Sequence, residues 1–245
     1  EWAWIFDYDP TVIHLHHVLR VLVLASETPA ELVTRFAKEN AAATVRLLDE
    51  AYQGHPHRAA VREVYLSARA VLFKHFSKRL IDAPPDPAFG WLENEGHYRY
   101  LRTMFQHDRI DLKKGDMLAQ HTMQDIGAAA RALGVVVRVY YPSNAPEVWE
   151  FTQQYRDNVR GLPFDERSVV ITTVSGLRAR GQGPRGPRGQ GPRGETSGYW
   201  HYHVQGGLWQ QSLLGRSGVR TQKQLVYDHV RTDAPDLSFS GLPGS

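Results

Sequence analysis

No cysteine occurs in the 245 residues. Disulfides, thiolate metal sites and cysteine nucleophiles are therefore excluded, and the redox compartment stays open. Long apolar runs are missing too. The longest near the start, Val18 to Ala25, is interrupted by Arg20 and falls far short of the ~20 residues a membrane span requires. No secretory signal is visible, so the cytoplasm is only a default expectation. Charge of one sign is scarce, with a formal net charge of +3. Arg178, Arg180, Arg185, Arg188 and Arg193 sit together in a Gly/Pro segment, which leaves the rest of the chain near neutral and without the basic face of a nucleic-acid binder. A P-loop, a G-x-S-x-G elbow and an H-E-x-x-H helix are all absent, which argues against P-loop phosphoryl transfer and serine-hydrolase chemistry. The chain opens at Glu1 without a methionine, directly on "WAWIFDYD", and the expectation is that something upstream was processed, cut or left out.

What is present reads as a globular protein. Apolar residues make up 42% and charged residues 22% of the chain, which excludes wholesale disorder. The length suits a single domain over residues 1–245 that buries roughly 70% of its unfolded surface. Trp2–Asp7 reads as a buried strand, and Pro10 suits the first turn of a helix in which Val12, Leu15, Leu19, Leu22 and Val23 recur at helical spacing. Helices dominate residues 25–95, read as an insertion broken at "QGHPH" and at the loop "DAPPDPAFGW". Beyond this point strands and helices alternate. "GHYRYLRTMFQHD" is a helix, "RIDLKKGD" a strand and turn, "MLAQHTMQDIGAAARALG" a helix closed by Gly134, and "VVVRVYY" a strand. "APEVWEFTQQYRDNVRGL" follows as a helix and "RSVVITTVSG" as a strand. This alternation predicts an α/β fold, doubly wound, with a mostly parallel sheet and helices on both faces.

Residues 178–198, "RARGQGPRGPRGQGPRGETSG", keep a collagen-like glycine period for too few triplets to form a triple helix and read as a flexible loop. After it, "GYWHYHVQ" is expected to be extended, Gly206–Leu214 a short helix and "KQLVYDHVR" a strand near the sheet edge. The tail from Thr232 to Ser245 is expected to trail along the surface.

In open α/β sheets, ligands bind outside the carboxyl ends of the parallel strands. If Trp2–Asp7, Ile110–Leu112, Val135–Tyr140 and Val169–Val174 are parallel neighbours, one rim presents Asp7 and Asp9, Gly115 and Asp116, Ser143 and Asn144, and Ser175 and Gly176. The acids suit ribose hydroxyls, and the Ser-Asn pair suits a base edge or substrate. Each of these residue types is also an ordinary turn or cap residue. It is the succession of four polar strand ends that points to a small-molecule site.

Three segments, "EWAWIFDYDPTVIHLHHVLRVLVLASETPAELVTRF", "GDMLAQHTMQDIGAAARALGVVVRVYYPSNAPEVW" and "NVRGLPFDERSVVITTVSG" continued by "GYWHYHVQ", resemble a bacterial family of uncharacterised proteins with an S-adenosylmethionine-dependent methyltransferase-like, Rossmann-like fold. The likeness covers most of the chain outside the Arg/Gly/Pro insert. It implies S-adenosylmethionine as cofactor, with "WAWIFDYD" as the second strand, Asp7 or Asp9 as the ribose acid, Gly115-Asp116 after the third strand and Ser143-Asn144 after the fourth. The chain departs from the pattern in one respect. No glycine-rich turn precedes Asp7, so the first strand and cofactor loop of that fold are expected to be missing from it.

Twelve histidines need an account. His14 and His17, and His201 and His203, have spacings that suit half a metal site, but no carboxylate stands beside them at ligand spacing, so they read as independent packing residues and no metal is expected. In "YWHYHVQ" the rings of Tyr199, Trp200 and Tyr202 suit stacking on a purine or flat substrate, and His201 or His203 suits a general base. Arg99 and Arg102 suit a carboxylate or phosphate, with a solvated basic helix face as the simpler reading. The expectation is a methyltransferase-like protein with Asp7, Asp9, Gly115 and Asp116 on the cofactor, Tyr141, Ser143, Asn144 and Tyr199 on the substrate, and His201 as base. Its rivals are a non-catalytic binding or scaffold protein and a metal-dependent hydrolase built on the histidines. The oligomeric state and the acceptor are not specified by the sequence.

Overall fold

The computed structural model describes residues 1–81, 90–175, 200–227, 231–234 and 237–242. The fold is mixed α/β with small, mostly parallel sheets. The chain, read from its length as one domain, gathers into two compact units, Glu1–Asp116 and Met117–Ser245.

The first unit begins with strand β1 (Ala3–Asp7) and helix α1 (Pro10–Leu24). Asp9 starts α1 by accepting the Thr11 backbone N–H, and Pro10 supplies a φ already suited to the first turn. Ile13, Val18, Leu22 and Val23 are the buried face, whereas Val12 points outward. Helix α2 (Pro29–Thr34) is capped by Thr28, and the Glu31 carboxylate reaches back to the Glu27 N–H, a variant of the capping box. Helices α3 (Ala41–Ala51), α4 (Arg58–Ile81) and α5 (Glu95–Gln106) complete the helical region that the sequence predicts. Strand β2 (Ile110–Lys114) then returns parallel to β1, from Ala3 opposite Ile110 to Asp7 opposite Lys114.

Val18, Leu22, Leu32, Phe36, Leu48, Tyr65 and Tyr98 form the centre of this unit's core. Each aliphatic side chain so buried contributes about 1.5–3 kcal/mol. The tyrosines bring hydroxyls that must be satisfied. Tyr65 donates to the Arg35 carbonyl at 2.7 Å and Tyr98 to the Ser26 carbonyl at 3.1 Å.

The second unit opens with helix α6 (Thr122–Ala132), and Gly134 just beyond it has φ of 65°, a left-handed conformation glycine adopts at no steric cost. Strand β3 (Val139–Ser143), helix α7 (Gln153–Arg160) and strands β4 (Val169–Ser175) and β5 (Trp200–Gly206) follow. Next come α8 (Gly207–Leu214), α9 (Gln222–Tyr227), β6 (Arg231–Ala234) and β7 (Leu237–Ser240). The sheet order is β3-β4-β5-β7-β6, parallel for β3 with β4 and β5 with β7, antiparallel for β4 with β5 and β6 with β7. At the β3 edge, Pro142 removes an N–H and the register shifts between Tyr140 and Ser143, two features that blunt an open strand edge.

Several local expectations are corrected. "KQLVYDHVR" is a strand only at its last residue, Arg231, where β6 begins: Gln222–Tyr227 is helical, with Gln222, Leu225 and Val226 buried at i, i+3 and i+4, and residues 228–230 lie outside the described residues. The described residues of the tail join the sheet instead of trailing along the surface. Leu237–Ser240 pairs between β5 and β6, with Ser238 and Ser240 buried. The helix expected from Ala145 is a short 3-10 turn, Ala145–Glu147, and regular helix begins only after Thr152, whose hydroxyl accepts the Tyr155 N–H. Strand β3 starts at Val139, later than Val135, because the Val135 N–H goes to the Ala130 carbonyl and the Val137 N–H to that of Pro163.

The second sheet buries a polar network beside Val170 and Val174. His203 bonds the Ser238 hydroxyl through Nδ1 at 2.8 Å and that of Ser240 through Nε2 at 2.9 Å. Gln205 donates to Ser240 at 3.0 Å, and Gln222 of α9 donates to Thr172 at 3.2 Å. This network ties β5 to β7, and it explains why a tail of small polar residues joins a sheet: their burial is compensated by hydrogen bonds instead of apolar area.

Candidate functional site

The expectation that four parallel strands share one rim is not met. β1 and β2 form one sheet and β3 and β4 belong to another. Each pair has its own carboxyl rim.

On the first rim, the register brings Asp7 level with Lys114, and the Gly115 N–H donates to the Asp7 carbonyl at 2.9 Å. Gly115 is buried and Asp116 half-buried. Asp7 Oδ1 accepts the Asp9 N–H at 2.8 Å, and Asp9 Oδ1 accepts the Thr11 N–H at 2.8 Å. The Thr11 N–H holds the exposed Asp9 carboxyl below the usual carboxylate range. His16 lies near Asp7, and burial pushes its pKa down against the opposing pull of that carboxylate. Both acids therefore spend one oxygen on starting α1.

On the second rim, β3 ends at Ser143, whose φ of 55° is left-handed without being glycine. Such strain costs of order 1 kcal/mol and concentrates at functional positions. Ser143 sits level with Thr172 of β4 and its hydroxyl lies 3.4 Å from Asn144 Oδ1. The Asn144 side chain caps no helix, unlike that of Asp9. Because β5 runs antiparallel to β4, its first residues return to this rim: Trp200 opposite Ser175, His201 opposite Val174, Tyr202 opposite Thr173. The Tyr141 hydroxyl meets Thr173 Oγ1 at 3.1 Å, and Tyr141 and Tyr202 are 53% and 43% exposed. Two half-exposed phenol rings thus flank a threonine hydroxyl beside a strained serine and the amide that its hydroxyl meets. The arrangement suits a planar ring with a hydrogen-bonding edge.

A match to the family model described as Domain of unknown function (DUF7790) runs over residues 1–242. The chain belongs to this family. The match spans both rims. No curated protein matches the chain.

In this DUF7790 chain the second rim unites Tyr141, Ser143, Asn144 and the backbone of His201; the His201 side chain, Tyr199 and Gly176 lie outside the described residues. His203 is withdrawn from catalysis, since both its ring nitrogens are committed in the core. Arg102 does not join Arg99 as a ligand clamp, because it turns to the Leu24 carbonyl at 3.3 Å while Arg99 is exposed. Thr173 was not recognised from the sequence, although the threonine pair in an otherwise aliphatic "VVITTV" is a signal.

His14 and His17 are not independent either. The His14 and His57 ring centroids are 5.0 Å apart, those of His17 and His57 5.7 Å, and those of His55 and His57 5.0 Å. Tyr52 Oη meets His17 Nδ1 at 2.8 Å. Among the described residues no three His, Asp or Glu side chains are arranged to hold a metal ion. An open groove of about 770 Å³ runs beside α4, lined among others by Asp49, His55, Arg58, Arg62 and Glu63. Its charges are matched internally, with Asp49 bridged to Arg58 at 2.9 Å and to Arg62 at 3.5 Å. No helix among the described residues is long and apolar enough to cross a membrane.

Proposed function

We propose that this chain is an S-adenosylmethionine-dependent-methyltransferase-like protein of doubly wound ancestry that binds a nucleoside-bearing small molecule at strand carboxyl ends. The observation that supports the reading best is Ser143: a serine forced into a left-handed conformation at the end of a parallel strand, beside Asn144 and the exposed rings of Tyr141 and Tyr202. In this reading the tyrosines stack on a planar ring, and Asn144 and Thr173 meet its polar edge. Asp7, Asp9, Gly115 and Asp116 stand on the rim of the other sheet, and this reading does not draw on them. S-adenosylmethionine, when bound, would supply an electrophilic methyl group, and the chain's own residues would position donor and acceptor.

One observation favours a second reading, a binding or scaffold protein without turnover. Asp7 and Asp9 already serve the start of α1, so their presence is explained without a cofactor. Calorimetric titration of the full chain with S-adenosylhomocysteine separates the two. The first reading predicts heat with a 1:1 endpoint that is lost in Tyr141→Ala and Asn144→Ala. Absence of heat with both S-adenosylhomocysteine and adenosine contradicts nucleoside binding.

A further inference from the structure

We propose that His14, His17, His55 and His57, gathered with Tyr52 where α1 meets the Tyr52–His57 turn, form an acid-sensitive latch whose protonation frees that turn from α1. The geometry is specific. His14 and His17 come from one helix, three residues apart, while His55 and His57 flank Pro56 in the turn between α3 and α4. His57 touches the other three imidazoles, and Tyr52 closes the cluster by its contact with His55 at 5.3 Å between centroids and its hydrogen bond to His17. As neutral rings, His14, His17 and His55 pack on His57 at tilts of 32–54°. As cations they repel one another at distances where screening by salt is incomplete.

The surroundings offer little compensation. Arg20, on α1, acts as a further positive neighbour of His17 and Tyr52. From the α3–α4 side, Arg58 and Arg62 flank Asp49 and occupy it, with Glu63 on the same groove. Asp9 is the carboxylate that acts on His14. Burial first, and then the neighbouring imidazoles and Arg20, hold His17 down to about 4 from its ordinary 6.5. Burial and His57 lower His14 as well. The unfolded or opened turn therefore binds more protons than the closed one between pH 6.5 and about 4. The latch is fully closed above that window and weakens as pH falls through it. The contact it governs is the seam between α1 and the α3–α4 hairpin, where residues 53–57 of the turn are exposed and Tyr52 is buried.

Hydrogen exchange of the full chain at pH 7.5 and pH 5, corrected for intrinsic rates, tests this. Protection across residues 52–60 should fall about tenfold in the parent protein, while α5 and β4 hold theirs. In the double variant His14→Gln, His57→Gln, which leaves the Tyr52–His17 hydrogen bond in place, the fall should shrink to about threefold or less. Equal losses in parent and variant, or undiminished protection in the parent at pH 5, would overturn the latch. Should the variant fold poorly, ring-proton NMR of the parent decides: His17 titrating below pH 5 supports it, and a midpoint above 6 sinks it.

Discussion

Arg156→Met tests how the second unit closes on itself. Arg156 is buried, and its guanidinium donates to the carbonyls of Leu214 at 2.7 Å, Arg216 at 3.2 Å and Val219. Those carbonyls belong to the end of α8 and the loop that follows, where a cation also meets the negative end of the helix dipole. Methionine keeps most of the apolar stem but supplies no donor, so the loss is the hydrogen bonds themselves. The buried carbonyls of Leu214 and Val219 left without their partner cost about 1 kcal/mol each and the part-buried one of Arg216 less, which gives about 2–3 kcal/mol. For a protein of this size that corresponds to a fall in Tm of about 4–12 °C. Thermal unfolding followed by near-ultraviolet circular dichroism reads it directly. Arg156→Lys, with a point charge in place of a fork, should recover about a third of the loss. A fall of less than about 2 °C for Arg156→Met would refute the assignment of Arg156 as the loop's anchor.

Ser143→Gly should raise stability by up to about 1 kcal/mol, because glycine accepts a φ of 55° without strain, while weakening ligand binding at the rim. Denaturant unfolding beside calorimetry checks both signs, and a destabilised variant would mean that the Ser143 hydroxyl matters more to the fold than its backbone. His203→Ala should lower stability by about 3 kcal/mol by opening a cavity and leaving the Ser238 hydroxyl without its imidazole, at unchanged denaturant dependence. Adding Ser238→Ala to it should cost much less than the sum of the two single changes, and full additivity would show that the network is not coupled.

Much of the secondary structure was legible because periodicity and caps coincide. Asp9-Pro10 marks the start of α1 and Gly134 the end of the sixth helix, and in both places local chemistry and tertiary structure agree. The sequence failed where burial is polar. In the tail, Ser238 and Ser240 look like surface residues, yet His203 and Gln205 satisfy them in the interior, and hydropathy has no means of registering such a pairing. "QLVY" carries strand-prone side chains, but two adjacent buried residues, Leu225 and Val226, fit a helix facing a sheet. Among candidate site residues, Tyr141, Ser143 and Asn144 could be placed because strand ends follow from strand assignments. The relation of Thr173 to Tyr141, and of His57 to His14 and His17, depends on which distant segments meet, which a single sequence does not encode in any local pattern.

The most direct measurement is an NMR titration of the ¹⁵N-labelled chain with S-adenosylhomocysteine. The proposed site predicts saturable shifts at Tyr141, Ser143, Asn144, Thr173 and Tyr202, with the α4 groove undisturbed. Shifts confined to the groove around Asp49 and Arg58, or none at saturating ligand, would contradict it.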